Sequence, residues 1–148
     1  MGKDKRLRHL EDRFPNLSSS QYGKTSDQNG LYNCIAYAAG DTSTWWDNKA
    51  YWPQKAKKGK TTQHLVGVYR TLGYQVCDNG ELEEGFEKVT IYANRIGNWK
   101  HAAKQLENGH WSSKLGEEED IFHSTPKALE GEIYGAVAQF LKRPRAKE

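Results

Sequence analysis

Cys34 and His101 are the side chains whose type and placement fit covalent chemistry: a thiol nucleophile and an imidazole base. Cys34 lies in YNCIAYAAGD (Tyr32 to Asp41), directly after the turn-forming stretch SDQNG (Ser26 to Gly30). Small and apolar helix formers run from Leu31 to Ala39 and stop at Gly40, so Cys34 falls in the first turn of a short helix. A helix N-terminus carries roughly half a positive charge. A thiolate placed there can have its pKa drawn from about 8.5 toward about 3.5–7.5. A free cysteine can equally be a small buried hydrophobe, so the rest of the constellation must decide.

A thiol nucleophile needs a base, and the base needs an orienting group. Of the five histidines, His9 sits in a charged N-terminal stretch, His64 opens a helical pattern facing outward, and His110 follows the Asn108-Gly109 turn. His101 and His123 remain. Asn-Gly predicts a two-residue hairpin turn, which pairs Lys100–Glu107 with His110–Leu115 and sets Leu106 opposite Trp111. His101 then shares a face with Ser112; a single bulge would bring Ser113 there instead. Ser112, Ser113 and Asp120 are the candidates to orient His101. His123, just before Thr125, is either a structural residue bonding backbone or a second polar member of the site.

Cysteine, histidine and then a polar residue on the next strand, in that chain order, resembles the papain-like peptidases. The run Cys34-Ile35-Ala36-Tyr37-Ala38 is similar to their Cys-x-Ala-aromatic-small helix start. Gln28 stands six residues before Cys34, where those enzymes carry an oxyanion-hole glutamine. Ser113-Lys114-Leu115-Gly116 stands where they carry Asn-Ser-Trp-Gly, so a serine or an acid from the Gly116–Asp120 loop must replace the asparagine. In size the chain is nearer the compact NlpC/P60 and CHAP-like relatives. A resemblance spanning about Phe14 to Pro144 is to a family of small uncharacterised bacterial proteins, a domain of unknown function. It rests on FPNL, YNCIAYAAGD, YWP, HAAKQL, WSSKLG, DIFH and FLKRP, and implies no substrate.

These residues need elements to hold them. The reading is an α+β, papain-like (NlpC/P60-like) fold with an N-terminal Cys-bearing helix packed on a small antiparallel β-sheet. Residues 1–13 form a charged arm, 14–144 a single domain and 145–148 a basic tail. In terms of elements, the N-terminal arm runs over residues 1–25, with one helical turn, packed by Phe14 and Leu17. The Trp-rich loop Asp41–Lys60 carries Trp45 and Trp46, which cover the core or line a cleft. Thr62–Leu72 has helical spacing with Thr61 or Thr62 as N-cap. Tyr74–Cys77 and Val89–Ala93 read as strands, Thr125-Pro126 as the start of a helical turn, and Glu132–Arg143 as the last helix.

A length of 148 residues fits one domain. Hydrophobic content is 36%, but five Trp, eight Tyr and four Phe supply large packing units. Two cysteines are too few for a disulfide scaffold, and Cys77 reads as a packing residue. No apolar run approaches the roughly 18 residues of a membrane helix, and no signal peptide is visible, so a cytoplasmic setting is expected, with an effector exported by a specialised secretion system as the alternative that would look the same. Net charge is +3, with basic clusters at Lys3–Arg8, Lys55–Lys60 and Lys142–Lys147. They read as solvated surface, since no nucleic-acid-binding motif accompanies them. No cofactor or metal is expected, because no CxxC or HExxH pair exists.

The expectation is a cysteine hydrolase of peptide or amide substrates. Cys34 attacks the carbonyl and His101 moves the proton. The Cys34 amide and Gln28 hold the oxyanion, with Asn33 as cap or added donor. The rivals are an inert binding module, a deamidase or transglutaminase-type effector working through the same acyl-enzyme, and a nucleic-acid binder whose affinity would fall with salt.

Overall fold

The computed structural model describes residues 9–26, 33–39, 52–53, 55–115 and 120–145. Gln28, Trp45, Trp46 and the Gly116–Glu119 stretch lie outside them. The described chain is α+β. Its helices are α1 (Leu10–Arg13), α2 (Cys34–Ala38) and α3 (Thr62–Thr71). Its strands are β1 (Tyr22–Ser26), β2 (Gln75–Cys77), β3 (Phe86–Ala93), β4 (Trp99–Gln105), β5 (Trp111–Lys114), β6 (Asp120–His123) and β7 (Ala136–Pro144). One sheet takes all the strands in the order β1-β6-β5-β4-β3-β7-β2, every neighbouring pair antiparallel.

Strand alternation sorts side chains to two faces, and each face has its own core. Val89, Ile91, Ala102 and Leu141 point to the face covered by α2 and α3 through Ile35, Ala36, Leu65, Val68 and Tyr69. Tyr92, Ala103, Trp111, Leu115 and Ile121 point to the other, covered by Leu10, Phe14 and Leu17 of the arm and by Ala128, Leu129 and Tyr134. Helix α3 begins where sequence dictates. The Thr61 hydroxyl accepts from the His64 amide, and the His64 ring reaches back to the Thr61 amide, a reciprocal cap. This gives His64 a local role.

Three expectations are corrected. Glu132–Arg143 is not a helix: Ala136–Pro144 is strand β7, between β3 and β2. Its apolar residues suit either period in a short run. In the sheet Phe140 reaches Trp111 on one face and Leu141 joins the α2–α3 core on the other. The hairpin is shifted by one residue. Lys104 pairs with Ser112 and Gln105 with Trp111, because the turn has three loop residues, with only Gly109 at positive φ. The Gly109 amide bonds the Leu106 carbonyl at 2.9 Å, giving the tight turn plus left-handed glycine of a bulged hairpin. The arm holds α1, a 3-10 turn (Pro15–Ser19) and edge strand β1, and Asp120 lies in β6 rather than in a loop. The turn after Thr125 forms as Pro126–Leu129, without a side-chain cap.

Candidate active site

The hairpin shift decides the company His101 keeps. It places Ser113 on the imidazole's face and turns Ser112 to the other. Ser113 Oγ lies 3.0 Å from His101 Nε2 and 2.8 Å from His123 Nε2. His123 Nδ1 lies 2.8 Å from the Thr125 carbonyl. All three side chains are fully buried. Ser112 instead meets the Tyr37 hydroxyl of α2 at 2.5 Å. Asp120 sits opposite Lys114 in the β5–β6 ladder, on Ser112's face of the sheet. Of the three candidates for orienting His101, Ser113 is the one bonded to it.

Donor and acceptor chemistry assigns the protons in this chain. A carbonyl only accepts, so His123 Nδ1 carries hydrogen and donates to Thr125. In a neutral His123, Nε2 then accepts, and Ser113 must donate to it. Ser113 Oγ in turn accepts from His101 Nε2–H. His101 Nδ1 is left as a lone pair, and this buried nitrogen has no hydrogen-bond partner. An orphaned buried polar atom costs about 1–3 kcal/mol.

Both rings are held neutral. Burial, and next the repulsion it would meet from a protonated His123, keeps His101 well below the usual histidine range. Burial takes His123 down to about 4, partly offset by the Thr125 carbonyl. The Tyr134 ring lies flat on the His101 imidazole, centroids 4.0 Å apart and planes 4° from parallel. Tyr92 flanks the same imidazole at 5.2 Å.

Cys34 is the first residue of α2, which packs on β4 and β5. Asn33 caps the helix, its Oδ1 accepting from the Ala36 amide at 3.1 Å; of its two expected roles, the cap is the one seen. The Tyr69 hydroxyl donates to the Ile35 carbonyl at 3.1 Å and ties α2 to α3. The expected low thiol pKa is corrected. Burial pushes the Cys34 thiol from 9.0 up to about 11, against smaller opposing effects from the amides of Ala102, Ile35 and Cys34 and from Lys114. A five-residue helix offers too little aligned dipole to outweigh that burial. The residue keeps partial exposure.

Cys34 belongs with the core on the α2 face, and His101 with the opposite face. They approach β4 at successive residues, the thiol interacting with the Ala102 amide next to His101. No hydrogen bond joins them in this structure. The charge of Cys34 nevertheless acts on Tyr134, whose hydroxyl burial already pushes far up. The thiol is therefore within electrostatic reach of the ring stacked on His101.

Ser113 and His123 were both named from the sequence; the bond between them and the stacking of Tyr134 on His101 are what sequence reading missed. The signal for the bridge was present, since His123 alternates with Ile121 along DIFH. Tyr134 was hidden by the helical reading of its segment. Cys77 is half-buried, its Sγ 3.5 Å from the Asn79 carbonyl. A surface cleft of about 840 Å³, lined by Arg13, Arg95, Glu130, Ile133 and Ala136 among others, includes neither Cys34 nor His101. Among the described residues, no three His, Cys, Asp or Glu groups gather as a metal site, and no helix is long and apolar enough to cross a membrane.

A family model described as a domain of unknown function, DUF7689, matches residues 23–142. No curated protein and no solved structure matches the chain significantly.

Proposed function

The chain belongs to the DUF7689 family, which carries no assigned activity, and from the geometry of its site we propose that it is a papain-like cysteine hydrolase acting on peptide or amide carbonyls. One observation carries this reading: the bridge through Ser113 fixes the neutral tautomer of His101 and leaves a buried, unpartnered Nδ1 lone pair one residue from the amide that Cys34 touches. An unpartnered buried lone pair is what a general base requires, and Cys34, packed on the opposite face of β4, is the thiol it would serve.

This mechanism requires the thiol to move from the α2 face, where it lies in this structure, to the face that holds His101 Nδ1. Cys34 Sγ forms a bond to the carbonyl carbon as its proton passes to Nδ1. The carbonyl oxygen becomes an oxyanion, held by backbone N–H groups at the start of α2; Gln28, the second donor that the sequence suggests, lies outside the described residues. Collapse expels the amine, which takes the proton from Nδ1 and leaves an acyl-Cys34 thioester. Water, deprotonated by the same Nδ1, hydrolyses the thioester and restores the thiol. Ser113 accepts from Nε2–H throughout and holds the ring in register. The neutral ground state suits a general base that is protonated during reaction, rather than a standing thiolate–imidazolium pair.

The raised thiol pKa and the absent Cys34–His101 hydrogen bond favour the rival, an inert module of the same fold. Incubation with an activated acyl ester, followed by peptide mass mapping, separates the two. The hydrolase predicts an acyl group on Cys34 and ester turnover that disappears in Cys34→Ser and His101→Ala. Absence of label on Cys34, or turnover indifferent to both substitutions, contradicts it. Adding an amine acceptor distinguishes hydrolysis from acyl transfer.

A further inference from the structure

The His101 imidazole has one hydrogen bond, to Ser113. That bond sets which ring edge faces Ser113, while the tilt of the ring plane about it stays soft, because the second side-chain torsion of histidine is broad. A flat neighbour is what limits that tilt. Tyr134 meets that need, lying at 4.0 Å and 4° on the imidazole, whereas Tyr92 meets it tilted by 54°.

The backbone around Tyr134 is built for this placement. Gly131 and Gly135 bond each other reciprocally, at 2.9 and 2.8 Å, closing a small loop with Tyr134 near its end. Both glycines are at positive φ, 155° and 78°. A Cβ on Gly135 would stand 2.0 Å from the Ala93 carbonyl oxygen, so only glycine lets the loop lie this close to β3. Glu130 Oε2 accepts from the Val137 amide at 2.9 Å and closes the base of the loop. Phe14 supports the Tyr134 ring, centroids 5.0 Å apart. Ile133 and Gly135, on either side of Tyr134, line the 840 Å³ cleft, while the tyrosine is buried.

We infer that Tyr134 is the positioning residue of the site, its flat ring holding the His101 imidazole so that Nδ1 stays directed for proton transfer. This rests on the hydrolase reading for what Nδ1 does, and on geometry alone for how Nδ1 is held. The ring is the working part, so Tyr134→Phe keeps the function and Tyr134→Leu, which fills space without a flat face, loses it.

Two readouts test this. Nitrogen-15 correlation spectra of His101 report its tautomer without reference to Cys34. Iodoacetamide labelling of Cys34 reports the coupling to the thiol. Y134F should retain the Nε2–H tautomer of wild type and alkylate within about twofold of it, as expected where ring contact dominates. In Y134L the ring can tilt off Ser113, so the bond that sets the tautomer is lost: the spectra should show a mixed tautomer, and Cys34 should alkylate about tenfold more slowly or worse, since a small misplacement of a reacting group carries that cost. A Y134L protein with wild-type tautomer and rate overturns the inference. So does a Y134F protein as impaired as Y134L, and Y134F alone suffices for that test if Y134L does not fold. If wild-type Cys34 itself proves inert, the hydrolase reading fails and the tautomer spectra still decide the role of Tyr134.

Discussion

A single hydroxyl between two buried imidazoles sets the protonation of the whole site, because Thr125 fixes one end of the chain and every donor after it follows. The same burial makes folding pH-dependent. Both histidines are buried neutral, and His123 does not protonate until about pH 4 in the folded chain. In the unfolded chain they bind protons as pH falls through about 6.5. Between these values the unfolded state binds more protons. Stability is therefore fully present above about pH 6.5 and falls below it, by at most about 1.4 kcal/mol per pH unit for each histidine. Urea melts at about pH 7.5 and about pH 5 should show a lower midpoint at the acid end. A midpoint unchanged between them contradicts neutral burial. Cys34 and His101 stood out as chemical residues in the sequence, but the thiol's environment did not. A local helix-end argument contains no term for the burial that raises it to about 11.

At the scale of elements, α2 has only five residues and cannot stand without its cap and its packing. Asn33 supplies the cap, so Asn33→Ala should destabilise the protein by about 0.5–2 kcal/mol and speed labelling of Cys34 as the first turn frays. Thermal melts and labelling rates check this together; equal stability with unchanged labelling would remove Asn33 from the account. Helix α3, strand β3 and the β4–β5 hairpin were legible, since capping residues, alternation and an Asn-Gly turn are local signals. The hairpin register was not. A two-residue and a bulged three-residue turn share the Asn-Gly signature, and one residue of slip exchanges Ser112 for Ser113. Strand β7 was misread because Ile133, Val137, Phe140 and Leu141 fit helical spacing. Pairing with β3 and β2 overrides that local preference.

Across the molecule, the sheet is the device that brings distant segments to one place. Cys34, His101, Ser113, His123 and Tyr134 span much of the described chain, yet all are carried on β4, β5 and β6 or on elements packed against them. The sequence pointed to the chain order and the helix-on-sheet arrangement. It did not reveal that both faces would be covered, with the N-terminal arm and the Tyr134 loop closing the face that holds His101. Coverage on both sides accounts at once for the neutral histidines, the raised thiol pKa and the unpartnered Nδ1.

Whether His101 serves the thiol of Cys34 is read from the pH profile of Cys34 alkylation by iodoacetamide. Peptide mass mapping separates Cys34 from Cys77. If His101 does serve it, folded wild-type protein labels at Cys34 near neutral pH faster than a thiol with a pKa of about 11 allows unaided. His101→Ala then removes that neutral reaction and leaves only the rise at high pH. Identical profiles in the two proteins, or a Cys34 that stays unlabelled until the chain unfolds, would contradict that role.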